Sequence, residues 1–136
     1  MATANKFNSW AEYMVEAANL GSDQFVVALT NTLPTSANDD LTDITQISYT
    51  NCSSRNITTT SSTQTGGTES LVFADLTLTA SGGSFGPFRY VVIYDDTVTT
   101  PVADPLVCWY DYGSSITVST GETFLIDFGA TALTLV

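Results

Sequence analysis

The sequence predicts a mainly β protein: an antiparallel β-sandwich of jelly-roll or related topology with one N-terminal α-helix. Hydrophobic residues make up 43% of the chain, enough for a core, whereas charged residues make up only 12%, too few for several solvated helices. Short apolar and β-branched runs recur between turns rich in Gly, Pro and Asp, at the spacing of sandwich strands. Helical periodicity is confined to one segment near the N-terminus.

The length of 136 residues is that of one domain, and no internal repeat divides the chain. We therefore expect a single domain over residues 1–136. Within it, residues 1–21 form an N-terminal helical segment and residues 22–136 form the sandwich.

The N-terminal segment carries apolar residues at helical spacing. They are Phe7, Trp10, Ala11, Met14, Ala17 and Ala18. The spacing predicts a helix from about residue 9 to residue 20. Ser9 and Glu12 have the spacing of a capping box, and Gly21 is a stop signal after the last periodic residue. Such a helix either packs against the sandwich or contacts another subunit, and the sequence leaves both roles open.

Residues 85–95 predict the central strand of the fold, because aromatic and β-branched residues dominate the run. Alternation places Phe88, Tyr90, Val92 and Tyr94 on one face and Val91 and Ile93 on the other. Since both faces are apolar, we expect this strand to be covered on both sides.

Further strands are predicted at 24–30, 48–60, 70–80, 106–112, 115–119, 122–128 and 132–136. A bulge at residues 74–75 would restore the apolar face of the 70–80 strand, and Thr120-Gly121 predicts a tight hairpin. Residues 58–68 are rich in Thr and Ser and contain Gly66-Gly67. They form either an exposed edge strand with a turn or a mobile loop.

The net charge of −11, with only three cationic residues, bounds the partners. A nucleic-acid binder needs a basic surface, and an anionic membrane would repel this chain, so we expect neither as a partner. The acidity serves solubility or complements a basic partner. Because the start of the sequence has no signal-like apolar segment, we expect the protein to fold in a reducing cytoplasm, with Cys52 and Cys108 as free thiols.

The absence of His excludes a Ser-His-Asp triad, a Cys-His dyad and His-ligated zinc. Carboxylates cluster at residues 39–43 and 95–104, without the ligand spacing of an EF-hand loop. We interpret both clusters as solvated acidic loops, with calcium binding as the alternative. Trp109, Tyr110 and Tyr112 form either a sugar-stacking platform or, more simply, core and sheet surface. We therefore predict no catalytic, metal-binding or cofactor-binding residue, no cofactor and no enzymatic activity.

Arg55 and Arg89 are two of the three cations in a chain with many carboxylates. A buried Arg needs a charged or hydrogen-bonding partner, so we expect a structural ion pair with Asp or Glu for each. The alternative role is that of an anchor in an interface between subunits.

Five segments, taken in order, resemble a family of small structural proteins of tailed bacteriophages. They are VALTNTLP at 27–34, ISYTNCSSRNI at 47–57, GPFRYVVIYD at 86–95, WYDYGSS at 109–115 and GETFLIDF at 121–128. The resemblance spans nearly the whole chain. It implies a virion protein, a head decoration or cement protein that binds the outside of the capsid and bridges neighbouring capsid subunits.

On that interpretation the partner is the major capsid protein, and the chain is a homo-oligomer, a dimer or trimer, on the capsid surface after folding in the host cytoplasm. The residues expected in protein interfaces are Phe7, Trp10, Tyr13, Met14, Arg55 and Arg89. The alternative is a sandwich associated with the tail or its fibres that binds host surface carbohydrate through its aromatic residues.

Overall fold

The computed structural model describes residues 3–135. This part of the chain contains one α-helix, α1 (Trp10–Glu16), and a short 3-10 helix at Leu41–Asp43. The strands are β1 (Ala4–Lys6), β2 (Phe25–Thr30), β3 (Thr59–Thr65), β4 (Thr68–Phe73), β5 (Leu76–Thr79), β6 (Phe85–Asp95), β7 (Leu106–Val118), β8 (Thr123–Ile126) and β9 (Leu133–Leu135). The predicted mainly β fold with one N-terminal helix is confirmed.

The strands form antiparallel sheets that pack as a sandwich. One sheet has the order β1-β7-β6-β2, and the others have the orders β3-β4-β9 and β5-β8. A large core of buried side chains lies between them, with Val27 and Ile93 from the first sheet and Leu71, Leu78 and Ile126 from the others. The strand order does not by itself establish jelly-roll connectivity, which stays a prediction.

The predicted central strand is β6, which pairs with β2 on one side and with β7 on the other. A second buried cluster covers the other face of this sheet, and Ile44 from the loop after β2 closes it over Val26 and Val92. The predicted covering of both faces is therefore confirmed. Phe88 is the exception to the predicted alternation, because register shifts on both sides of it turn its ring into the core with Val91 and Ile93.

Helix α1 is shorter than predicted and lacks the predicted capping box. Ser9 has helical backbone angles and its side chain makes no cap. Its carbonyl oxygen accepts from the amides of Glu12 and Tyr13, at 3.1 and 3.2 Å. The helix ends when the amides of Ala17 and Ala18 both donate to the carbonyl of Tyr13, well before Gly21. Helical spacing up to Ala18 therefore overestimated its length.

The strand predicted at 48–60 is wrong. Between Ile44 and Thr58 the chain is irregular and makes only isolated bridges, such as Cys52 with Ala80 and Asn56 with Val26. The Thr/Ser-rich stretch that follows takes the first of its two predicted forms, an edge strand and turn: β3 pairs with β4 alone, and Gly66-Gly67 forms the turn between them.

Three predicted connections differ in the structure. At residues 74–75 the chain leaves the β3-β4-β9 sheet for the β5-β8 sheet, so the predicted bulge is a change of sheet. The predicted hairpin at Thr120-Gly121 is wrong, because β7 pairs with β6 whereas β8 pairs with β5. The strands predicted at 106–112 and 115–119 are one strand, β7, which passes through Gly113 at φ +86°. The predicted last strand is β9, and its predicted end at Val136 lies outside the described residues.

Candidate functional site

Three of the residues predicted for an interface are buried inside this chain: Phe7, Trp10 and Tyr13. Phe7 is 0% exposed and its ring lies 4.7 Å from that of Trp109. Trp10 is 1% exposed and meets the ring of Phe25 edge-on at 6.3 Å. These side chains have no surface to offer a partner, so an interface on the helix would have to use its exposed positions.

Tyr13 and Met14 also pack against the main core of the sandwich. The hydroxyl of Tyr13 donates to Oδ1 of Asp39 at 2.8 Å, and this bond is the main reason that the pKa of Tyr13 is raised to about 12. Met14 is half-buried against the main core. The large apolar side chain that the helix exposes is that of Val15, at 72%. Sequence reasoning missed it because Val15 lies off the apolar stripe.

Arg89 has the predicted structural ion pair. Its Nε and Nη2 atoms donate to the two carboxylate oxygens of Asp111 at 2.8 and 3.1 Å, across β6 and β7. The hydrogen bond to Arg89 is the largest cause that lowers the pKa of Asp111, followed by the amide of Gly113. Because both side chains are solvent-exposed, the pair contributes little to the stability of the fold, and it mainly fixes the positions of these two side chains on the sheet.

Arg55 has no carboxylate partner among the described residues, so the ion pair predicted for it is wrong. Its Nη1 donates to the carbonyl oxygen of Val27 at 2.6 Å, and the guanidinium lies 3.6 Å from the ring centroid of Tyr49. Backbone carbonyl and aromatic face together satisfy the cation. No sequence pattern predicts this arrangement, because the sequence places Tyr49 on a regular strand.

Tyr49 continues the same arrangement. Its hydroxyl accepts from the amide of Leu29 at 2.9 Å and donates to Oε1 of Gln46 at 2.7 Å. Arg55 and Tyr49 thus fasten the irregular segment along the outer edge of β2, together with backbone hydrogen bonds such as that from the amide of Val27 to the carbonyl of Arg55 at 3.0 Å.

The clearest free edge is β3, whose other side has no strand partner among the described elements. Thr60, Thr63, Gln64 and Thr65 are exposed along it. Ser62 donates to the carboxylate of Glu69 across the ladder. An exposed edge presents unpaired backbone donors and acceptors, which can pair with a strand of another chain.

The aromatic residues proposed as a sugar platform lie on different faces. Trp109 packs with Phe7 on the outer face of the four-stranded sheet, whereas Tyr110 is buried in the core between the sheets. Tyr112 packs edge-on to Phe124 at 5.1 Å. The three rings therefore do not form one flat surface.

The acidic loops meet at one end of the four-stranded sheet. Asp23 precedes β2, Asp95 ends β6, and Asp104 precedes β7, beside the loop that carries Asp39 and Asp40. Burial, then Asp96, then Asp40 raise the pKa of Asp104. The prediction of solvated loops is wrong for Asp95, which is 0% exposed. Within residues 3–135 no three His, Cys, Asp or Glu side chains are arranged to hold a metal ion.

The two cysteines are free thiols, as predicted. Cys108 is buried in the main core, and burial raises its pKa to about 12. Cys52 is half-buried, and burial raises its pKa as well.

Comparisons with protein-family models, with curated proteins and with solved structures find no match for the chain. The resemblance to phage structural proteins therefore stays a hypothesis drawn from the sequence. Neither helix described between residues 3 and 135 is long and apolar enough to cross a membrane. No cavity of small-molecule size is found in the same part of the chain.

Proposed function

We propose that this protein is a structural component of a tailed-bacteriophage virion, which binds the capsid exterior and bridges capsid subunits without catalysing a reaction. The five ordered sequence segments support the class of protein. The observation that carries the mode of action is the free edge of β3, which presents backbone and hydroxyl groups along an exposed strand.

Strand addition to that edge would supply directional hydrogen bonds to a partner strand, from the major capsid protein or from a second copy of this chain. The exposed side chains along β3 are uncharged, so they do not repel an incoming strand as edge lysines do. The rest of the sandwich is a firmly packed support, since its apolar side chains fill two clusters on the two faces of one sheet. A protein that bridges subunits needs such a rigid body between its contacts.

The first experiment locates the protein on purified virions of the phage that encodes it. Immunogold labelling of these particles should mark the head. Labelling confined to the tail, or absent from the particle, would contradict the proposal.

The second experiment tests the edge. Thr63→Lys and Thr65→Lys place charges on the exposed face and edge of β3 and should abolish binding to virions stripped of this protein. Thr120→Lys adds the same charge in the exposed turn before β8 and is the matched control. Equal binding by both kinds of variant would exclude the β3 edge as the contact.

A further inference from the structure

Asp95 is an unusual carboxyl group because it is fully buried. It is the last residue of β6 and lies directly opposite Phe25 in the ladder with β2. Its Oδ1 accepts a hydrogen bond from the amide of Thr97 at 3.1 Å. Its Oδ2 is buried and has no hydrogen-bond partner among the described residues. A buried carboxylate oxygen without a partner is costly, so Oδ2 must be satisfied in another way.

Phe25 lies opposite Asp95, and Gln24 is hydrogen-bonded to Thr97 and Asp96, so the preceding residue, Asp23, lies beside Asp95. Its carboxyl group contributes to the raised pKa of Asp95. Asp23 is itself held in place, because its Oδ2 accepts from the amide of Asn19 at 2.8 Å. Two carboxylates cannot both stay ionised side by side in a buried position unless a proton or a cation lies between them.

The cations of the chain are engaged elsewhere. Arg89 pairs with Asp111, Arg55 contacts Tyr49 and the carbonyl of Val27, and Lys6 lies on β1, beyond β7 from this position.

The other charged groups at this end of the sheet are also acidic. Asp96 and Asp104 adjoin each other in the loop after β6, with Asp40 beside Asp104. This surrounding negative charge further favours a neutral Asp95.

We propose that Asp95 keeps its proton at neutral pH and donates it from Oδ2 to the carboxylate of Asp23, forming a carboxyl clasp. The clasp joins the segment that follows α1 to the end of the central strand. When pH rises, the proton is lost, two adjacent negative charges remain, and the clasp opens.

The backbone around the clasp explains what its opening would loosen. The amide of Gln24 donates to Oγ1 of Thr97 at 2.8 Å, and the carbonyl of Gln24 accepts from the amide of Asp96 at 2.9 Å. These bonds hold the segment before β2 against the loop after β6. The clasp is thus a pH-sensitive link at the acidic end of the sandwich, between the segment that follows α1 and the loop that follows β6.

The direction of the pH dependence follows from linkage. Burial, then the hydrogen bond with Asp23, raise the pKa of Asp95 to about 8. The folded protein therefore holds a proton that the unfolded chain has lost between about pH 4 and the folded pKa. This contribution to stability is complete at the acidic end of that window and falls as pH rises through it.

The direct test follows the side-chain carboxyl carbon of Asp95 by NMR in the intact wild-type protein. We expect a titration midpoint on the alkaline side of neutrality. A midpoint in the ordinary range of carboxyl groups, near pH 4, would overturn the proposal whatever the variants do.

Thermal unfolding of variants is the second test. The melting temperature of the wild type should fall between about pH 6 and about pH 9, whereas that of Asp95→Asn should stay level, because the amide donates permanently to Asp23. In Asp23→Asn the amide group can donate to ionised Asp95 and stabilise its charged form. The fall in melting temperature should therefore occur at lower pH than in the wild type. Glu16→Gln removes one exposed charge and should follow the wild type. A wild-type slope in Asp95→Asn would overturn the clasp.

A bound cation, instead of a shared proton, could also neutralise the two carboxylates, and calcium is the probe for that alternative. We expect about 5 mM calcium chloride to leave the melting temperature of the wild type at alkaline pH unchanged. If calcium raises the melting temperature of the wild type but not that of Asp95→Asn, a metal ion binds between the two carboxylates and the proposal of a shared proton is wrong.

Discussion

The guanidinium of Arg55 lies over the ring of Tyr49 at 3.6 Å and donates to the carbonyl of Val27 on the edge of β2. This pair fastens an irregular segment to a sheet edge with which the segment makes only isolated bridges. Arg55→Ala should therefore lower the free energy of unfolding by about 2 kcal/mol, through loss of a charge-assisted hydrogen bond and of stacking. Arg55→Lys should recover only part of this, because an ammonium lacks the planar face.

Urea unfolding measures both variants, and Thr45→Ala, an exposed change in the same segment, is the control. If Arg55→Ala unfolds at the same urea concentration as this control, the guanidinium contributes nothing to the segment.

The Tyr49 hydroxyl makes a separate contribution. Tyr49→Phe keeps the ring under Arg55 but leaves the amide of Leu29 without its acceptor. We expect a loss of about 1–2 kcal/mol, since an unsatisfied buried donor costs its full desolvation. Hydrogen exchange at the amide of Leu29 should accelerate in this variant. Unchanged protection would mean that another group or water accepts that bond.

Burial of Trp10 allows a test of whether α1 is a packing element or an interface. Because its side chain is 1% exposed, Trp10→Ala should cost about 3–5 kcal/mol of stability in the isolated protein. Val15→Asp, at an exposed position of the same helix, should change stability by less than about 1 kcal/mol. If Val15→Asp nevertheless weakens binding to virions, the exposed face of the helix is an interface.

The pair of Arg89 and Asp111 predicts an acid-side effect of opposite sign to that of Asp95. Arg89 lowers the pKa of Asp111, so the contribution of this carboxylate is complete above its unfolded pKa and is lost as pH falls through its folded pKa. Arg89→Gln should reduce the loss of stability with acid, and high salt should reduce it in the wild type too. Identical acid denaturation curves for Arg89→Gln and wild type would show that the exposed pair contributes nothing.

The two thiols should differ in reactivity. Cys108 is buried with its pKa raised to about 12, so it should resist a thiol reagent until the protein unfolds, whereas half-buried Cys52 should react first. Cys52→Ala should remove the fast phase in a time course with a chromogenic disulfide. Rapid labelling of Cys108 in that variant would indicate frequent opening of the core between the sheets.

The success and failure of the sequence predictions have separate physical causes. The bounds of β6 were predictable because propensity, apolar faces and flanking turn residues agree there. The connection at Thr120-Gly121 was not, because turn residues specify that the chain reverses but not which strand it will then meet. In the structure, Leu76 of β5 supplies the partner of Ile126, and only tertiary packing makes that choice.

That Asp23 and Asp95 are neighbours could not be predicted from the sequence, for a similar reason. The sequence placed Asp95 in an acidic loop cluster and gave Asp23 no role. Their proximity depends on the register that sets Phe25 opposite Asp95, which is a property of two strands far apart in the chain. The edge strand β3, by contrast, was one of the two forms that its local composition of Thr and Ser predicted, the other being a mobile loop.

The order of strands in the four-stranded sheet has a consequence for synthesis on the ribosome. β2 emerges early, yet its partner is β6, and β1 must wait longer still for β7. Until β7 has left the ribosome, β2 has no complete sheet to join. The fold of the nascent chain therefore depends on strand pairs that form late and between distant parts of the sequence. Because apolar strands stay unpaired until then, this is the interval in which the chain is most exposed to self-association.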